Sequence, residues 1–516
     1  MTWFLLSLHL LLIGGFGLRI LLRDDLRPDV RMGWLCVIVL LPYASCVLYY
    51  LFGEVALGRG GRPRRQGVRA YLQAHGVAPA PSAFSGAAET ATPGACATAA
   101  ATPPHPAIAP PWQRAFAYAA SINGFVPQAG HHAELMADGS VARSRMLQDM
   151  DAAQREIHVL YYIWLPDVTG SAVAQALARA AQRGVVCRAM VDGLGSHALL
   201  RSPLWQQMAA AGVQLSVDLP LNRPLRVLLT SRIDLRNHRK ITLIDGAITY
   251  CGSQNCADEA FSPKPRFAPW VDIMLRIQGP LVAQLQWVFA SDWAQSGGAP
   301  FTPDTGALPL VDSQVATPAS TLPETAEPAE PSAGEMVALA IAEGPTERPR
   351  STPQLVSTLL ASAQREVVIT TPYFVPDATV LEALCAAAWR GVHLTLILPA
   401  RNDSWIVGAA SRSSYRRLLQ AGVHIHEFTP GLLHAKTLCV DGVLSLIGST
   451  NLDLRSFDLN FENNVLLQSA AVTRAIRARQ NDYLHQSTPI TMAQVLAWPR
   501  WRRIWNNLLA MLGPVL

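Results

Sequence analysis

The chain repeats itself, and that constrains its fold more than any other feature. The stretch AQREIHVLYYIWLPDVTG at 153–170 returns as AQREVVITTPYFVPDATV at 363–380. QRGVVCRAMVDG at 182–193 returns as WRGVHLTLILPA at 389–400, and AGVQLSV at 211–217 returns as AGVHIHE at 421–427. Each copy runs in one order: an apolar β-branched run, a polar loop, an Ala/Leu-rich helical stretch, then R-G-V opening the next run. Strands alternating with helices predict a layered α/β domain with a mixed, mostly parallel sheet. A chain of 516 residues has room for two such domains and appendages.

Two Ala/Pro/Thr-rich stretches, 78–111 and 297–334, lack the periodicity and bulky apolar residues of a core and read as linkers. The resulting division is an N-terminal region at 1–56, a basic segment and linker at 57–111, a first lobe at 112–296, a linker at 297–345, a second lobe at 346–488 and an amphipathic tail at 489–516. In the N-terminal region the apolar runs 3–22 and 32–52 each have the length of a helix that crosses a hydrocarbon core of roughly 30 Å. Two transmembrane helices are therefore expected. Arg59, Arg62, Arg64, Arg65 and Arg69 follow with no acid among them, which orients the body toward the cytoplasmic side. In the tail, Trp498, Trp501, Trp505, Leu508 and Leu512 share helical spacing, with Arg500, Arg502 and Arg503 elsewhere. Such a segment either lies in an anionic membrane interface or packs on the second lobe. A net charge of only +5 gives no argument for nucleic acid. The eight Cys form no C-x-x-C or zinc-type grouping, so neither a metal site nor a disulfide framework is expected.

The chemistry concentrates in NHRKITLIDGAITYCGSQN at 237–255 and LHAKTLCVDGVLSLIGSTN at 433–451. Both hold H-x-K-x4-D, as His238, Lys240, Asp245 and as His434, Lys436, Asp441. Asp-Gly between β-forming flanks predicts a hairpin with a two-residue loop. In that register His238 faces Ser253, Lys240 faces Cys251 and His434 faces Ser449. Each hairpin then gathers a His, a Lys, a Ser and an Asn at one end, with the Asp at the corner. Lysine charge suits the non-bridging oxygens of a phosphodiester, and Ser253, Asn255, Ser449 and Asn451 can donate hydrogen bonds to it. A neutral imidazole can attack phosphorus while a protonated one supplies the leaving alkoxide with a proton. One motif cannot do both. Two motifs facing each other can.

The doubled pattern H-x-K-x4-D-x6-G-S-x-N resembles the phospholipase D superfamily over roughly 112–488. The resemblance implies two α/β/α lobes, one active site between them, and a phosphohistidine route with no metal or other cofactor. It makes His238, Lys240, Asp245, His434, Lys436 and Asp441 the catalytic set, with Ser253, Asn255, Ser449 and Asn451 on the phosphate. It also implies an acid downstream of each motif that orients a histidine, for which Asp272 and Glu462 are the candidates. RPDVRMGWL, LRNHRK, WVDIMLRIQGP, TPYFVPD and NLDLRSFDLNFENN narrow the resemblance to bacterial cardiolipin synthases. These are multi-pass enzymes of the cytoplasmic (inner) membrane that move a phosphatidyl group between two phosphatidylglycerols and release glycerol. The same intermediate meeting water would make a phospholipase D. Meeting another headgroup alcohol, it would make a different phosphatidyltransferase; a membrane-anchored nuclease is the rival in another substrate class. Which histidine attacks stays open at this level.

Overall fold

The computed structural model describes residues 2–24, 26, 28–53, 67–77, 108–220, 234–304, 308 and 336–511. Arg59, Arg62, Arg64 and Arg65, most of both linkers, and Leu512 lie outside them. The described residues fall into two compact units.

The N-terminal unit holds the helices Thr2–Leu21, Pro28–Leu40 and Pro42–Phe52. The run 32–52, expected as one span, is divided at Leu41. Pro42 has no N–H to donate and pushes the residue before it out of the helical region, and Leu41 sits at φ −138°, ψ 59°. Ile20, Ile38, Cys46 and Tyr49 pack inward, and Phe16 and Trp34 meet Tyr49 edge-on at 5.9 and 5.1 Å. Leu10, Leu11, Leu18, Val39, Leu40 and Val47 face outward, all more than half exposed. No helix among the described residues is long and apolar enough to cross a membrane.

The second unit carries both repeats on one mixed sheet of sixteen strands. Each repeat begins as expected with a parallel ladder. In the first it is Glu156–Tyr161, Val186–Asp192 and Gln214–Asp218. In the second it is Glu366–Thr370, His393–Pro399 and His424–Phe428. The repeated Pro-Asp then starts a helix in both. Asp167 accepts the N–H of Gly170 at 2.9 Å to cap Val168–Gln182, and Asp377 accepts that of Val380 at 2.9 Å to cap Ala378–Trp389.

Beside each ladder lie antiparallel strands, so antiparallel pairs outnumber parallel ones and "mostly parallel" is corrected. Strand–helix alternation shows only in the first part of each repeat; the motif hairpins that follow are antiparallel by their short turns, and longer connections bring further antiparallel strands beside them. The two sheets also merge. Gln128–Leu135 pairs with Met336–Glu343, and the latter pairs on its other side with Asn460–Gln468. Met336–Glu343 falls inside the stretch read as linker to 345. Its sequence MVALAIAE is buried at every position, the pattern of a strand flanked on both edges and covered on both faces.

Candidate active site

Each motif hairpin has a three-residue loop. The pairs Thr242↔Tyr250, Leu243↔Thr249 and Ile244↔Ile248 leave Asp245, Gly246 and Ala247 as the turn, and Thr437↔Ile447 begins the same pattern in the second copy. The register is one residue away from the expected one. The reason is the aspartate. Asp245 is held at φ 54° while its carboxylate accepts the backbone N–H groups of Gln154, Arg155 and Glu156 at 2.9, 2.7 and 3.0 Å. Asp441, at φ 52°, accepts those of Gln364, Arg365 and Glu366 at 2.9, 2.7 and 2.9 Å. The repeated AQRE is thus the landing place of the repeated Asp. Both carboxylates are occupied at the hairpin tips, at the opposite end from the His and Lys.

At the open ends the two repeats exchange partners. Arg236–Asn237 pairs in parallel with Asn460–Phe461, and Leu432–Leu433 pairs in parallel with Trp270–Val271. The next residue on each strand is a motif histidine or one of the two downstream acids. The His238 N–H donates to the Phe461 carbonyl at 2.8 Å, and the His434 N–H to the Val271 carbonyl at 2.8 Å. His238 Nδ1 consequently lies 2.8 Å from Glu462, and His434 Nδ1 lies 2.6 Å from Asp272. Each imidazole is held by the acid of the other repeat. A carboxylate only accepts, so Nδ1 carries the proton and Nε2 is left with its lone pair.

Ser253 and Ser449, expected on the phosphate, each engage an acid in this structure. Ser253 Oγ donates to Asp272 at 2.6 Å, and Ser449 Oγ donates to Glu462. The cause is sheet pairing: the backbone N–H of Ser253 bonds Ile273, and that of Ser449 bonds Asn463, beside the acid in both cases. Lys240 and Lys436 each donate from Nζ to the carbonyl of the histidine two residues before, at 2.8 Å in both copies. Asn255 accepts the Ile163 N–H at 3.3 Å. Asn451 donates to Ser456 at 3.2 Å and has a buried Oδ1 with no hydrogen-bond partner.

His238, Lys240, His434 and Lys436 are 8, 1, 2 and 3 % exposed. Burial pushes the His238 imidazole down to about 4, against the pull of Glu462 and with the help of Lys240 and Lys436. Burial and then Lys436 lower His434, with Asp272 opposing and Lys240 adding to the lowering. Each histidine therefore feels the lysine of the other repeat, and the two motifs form one electrostatic cluster. Burial alone would raise the two acids. For Asp272, His434, Lys436 and Ser253 outweigh it and hold the carboxyl at about 2; for Glu462, His238, Lys240 and Ser449 outweigh it and hold the carboxyl below its ordinary value. The resting pairs are neutral imidazole and ionised carboxylate. Lys240 is lowered to about 8 and Lys436 to about 7, in both cases by burial. Two buried lysines short of their usual proton affinity are a site prepared for an anion.

The sequence reading missed three features. Tyr162 meets His238 edge-on at 4.9 Å with Lys240 Nζ 5.8 Å over its ring, and Trp270 lies against His434 at 4.7 Å. Arg239, between His238 and Lys240, pairs with Asp292 at 2.6 Å and donates from Nε to the Glu462 carbonyl at 3.0 Å. The second copy has Ala435 at that place. The signal was available in H-R-K: on a buried strand the residue between two site side chains points into the opposite layer, and an arginine there needs a buried acid. Among the described residues no group of three or more His, Cys, Asp or Glu is placed to hold a metal.

Comparison with known proteins adds the following. Residues 146–293 and 356–482 match the family described as "Cardiolipin synthase, PLD-like domain", and residues 12–54 match "Phospholipase D-nuclease N-terminal". Cardiolipin synthase A of Klebsiella pneumoniae (strain 342) is 33% identical over 519 residues, covering 100% of this chain and 98% of that one. Cardiolipin synthase A of Edwardsiella ictaluri (strain 93-146) is 33% identical over 516 residues with the same coverage. Among solved structures, phosphatidylserine synthase from Haemophilus influenzae Rd KW20 superposes with a TM-score of 0.55 at 15% identity, over 78% of this chain and 98% of that one. This last likeness is one of fold.

Proposed function

The chain belongs to the cardiolipin synthase family of phospholipase D-like proteins, and we propose that it transfers a phosphatidyl group from one phosphatidylglycerol to another and releases glycerol. The observation that carries this reading is the exchange of acids between repeats, which joins two intact motifs into one buried site. Lys240 and Lys436 take the phosphodiester anion. His238 is the attacking imidazole: its Nδ1–H is fixed by Glu462, and its depressed proton affinity keeps Nε2 unprotonated at neutral pH. The anion's charge raises the proton affinity of the cluster, and His434, tied to ionised Asp272, takes that proton. In the first step Nε2 of His238 forms a bond to phosphorus, the phosphorus–oxygen bond to glycerol breaks, and His434 gives its proton to the leaving oxygen. In the second step His434 removes the proton of the acceptor's hydroxyl, whose oxygen displaces His238. Ser253 and Ser449 act on the acids, and Asp245 and Asp441 on the hairpins.

The depth of the four motif side chains supports an alcohol acceptor over water, because a site closed to solvent favours transfer. A membrane setting is supported by the apolar exterior of the N-terminal helices. We place those helices in the cytoplasmic membrane, with the catalytic body on the cytoplasmic side. The test is to give the full-length protein, in vesicles, phosphatidylglycerol labelled in its glycerol headgroup. Cardiolipin and free glycerol in equal amounts support the reading. Phosphatidic acid with glycerol, and no cardiolipin, would overturn it in favour of hydrolysis.

A further inference from the structure

The C-terminal helix Arg500–Ala510 turns the wrong way for a helix that only caps a core. Its inward face, against the helix Trp405–Ser413, is made by Arg502, Asn506 and Leu509. Its outward face is Trp501, Ile504, Trp505, Leu508 and Met511, exposed by 70, 68, 44, 51 and 77 %. These positions follow i, i+3, i+4, i+7, i+10, one continuous apolar stripe. A helix stabilised by packing alone buries such a stripe; here the body takes the poorer face and leaves the aromatic one open. Trp498, expected on this stripe, precedes Pro499 and the helix and sits under Arg502 at 4.4 Å.

The stripe does not end with its own helix. Trp405, 63 % exposed at the start of the neighbouring helix, stacks on Trp505 with ring centres 6.0 Å apart and planes 9° apart. From Trp405 a short series of contacts leads to the active site. Asp403, two residues earlier, receives Lys264 at 2.6 Å and the Tyr373 hydroxyl at 2.8 Å. Lys264 closes a turn onto Phe261, which stacks on Trp270 at 3.9 Å, and Trp270 lies on His434.

Charge selects the occupant. The helix carries Arg500, Arg502 and Arg503 and no acid, and Arg500 and Arg503 are exposed on it. Tryptophan and leucine on one face with arginine at its margins is the chemistry of a helix lying in the headgroup region of an anionic bilayer. We infer that Trp405 and the outward face of Arg500–Ala510 are a membrane-contact surface that seats the second repeat on anionic lipid next to the active site. The inference concerns binding, so it stands apart from the reaction proposed above.

The test uses full-length protein with Cys36→Ser and Cys96→Ser, labelled with a polarity-sensitive nitrobenzoxadiazole at Leu508→Cys or, for comparison, Asn507→Cys. In vesicles of phosphatidylcholine with phosphatidylglycerol, the label at 508 shifts to the blue. It loses iodide quenching several-fold and is quenched by lipid-borne nitroxide, while the label at 507 stays open to iodide. A label at 508 that remains accessible in these vesicles overturns the inference. So does shielding that is equal in pure phosphatidylcholine and grows with protein-to-lipid ratio, which would assign the stripe to a second copy of the chain. None of these readings depends on turnover, so an inactive preparation still decides the matter.

Discussion

His238 and His434 differ from the other described histidines of the second unit because each has an acid supplied by a strand of the other repeat. Changing either to Ala removes the attacking atom or the proton donor, and turnover should fall by about 10³-fold or more. The motif aspartates behave otherwise. Asp245→Asn weakens three backbone contacts at a hairpin tip, so a loss of about 1–2 kcal/mol in stability is expected, with turnover retained at moderate temperature. Denaturation midpoint and turnover, measured on the same sample, separate the two effects; a fall in activity as deep as that of His238→Ala would refute the structural assignment. The lysines set the pH response. Lys436 and Lys240 lose their protons near 7 and 8 in the free site, whereas a bound phosphodiester favours the protonated forms. As pH rises through that window the anion must bring the proton with it, and binding weakens by up to about tenfold per unit for each lysine. KM for phosphatidylglycerol should climb from pH 7 to 9.5 while turnover at saturation changes less. A KM flat across this range would contradict the assignment of both lysines to the phosphate.

At the scale of elements, the two-residue pairings Arg236–Asn237 with Asn460–Phe461 and Leu432–Leu433 with Trp270–Val271 bring each motif histidine to the acid of the other repeat. They make a specific prediction. At pH 5.5, where Lys240 and Lys436 already hold their protons, Asp272→Asn should diminish the proton uptake that accompanies anion binding, because Asp272 favours the charged form of His434, although His434 belongs to the other repeat. Calorimetry of inorganic phosphate binding in buffers of different ionisation heat reads this directly; uptake unchanged in Asp272→Asn would contradict it. The sequence showed both repeats and the motif residues, since these are carried by local spacing, and the family resemblance pointed to the two acids. It did not show the exchange, because His238 and Glu462 lie 224 residues apart and nothing local encodes their pairing. The one-residue register difference has a similar origin: Asp-Gly predicts a turn, but the loop length is set by where Asp245 finds its three amides. Met336–Glu343 was hidden by the composition of the linker beside it, although its eight apolar-rich residues are a buried-strand pattern. For Ser253 and Ser449, hydroxyl chemistry alone does not tell which acceptor sheet pairing sets beside each.

For the molecule as a whole, one sheet carries both repeats, and the N-terminal helices and the C-terminal stripe are the two apolar exteriors proposed to meet lipid. If the substrate is taken from the bilayer, the rate should follow the mole fraction of phosphatidylglycerol in the surface. Diluting it with a neutral lipid at constant bulk concentration should slow the reaction. A rate that tracks bulk concentration alone would remove the argument from membrane seating. The central claim is that two repeats make one site in which His238 alone carries the phosphatidyl group. Rapid quenching with phosphatidylglycerol labelled at phosphorus, followed by peptide mapping under alkaline conditions that preserve phosphohistidine, tests it most directly. The account predicts label on His238, at most one per chain, absent in His238→Ala. Label on His434, on both histidines of one chain, or on neither during turnover would contradict it.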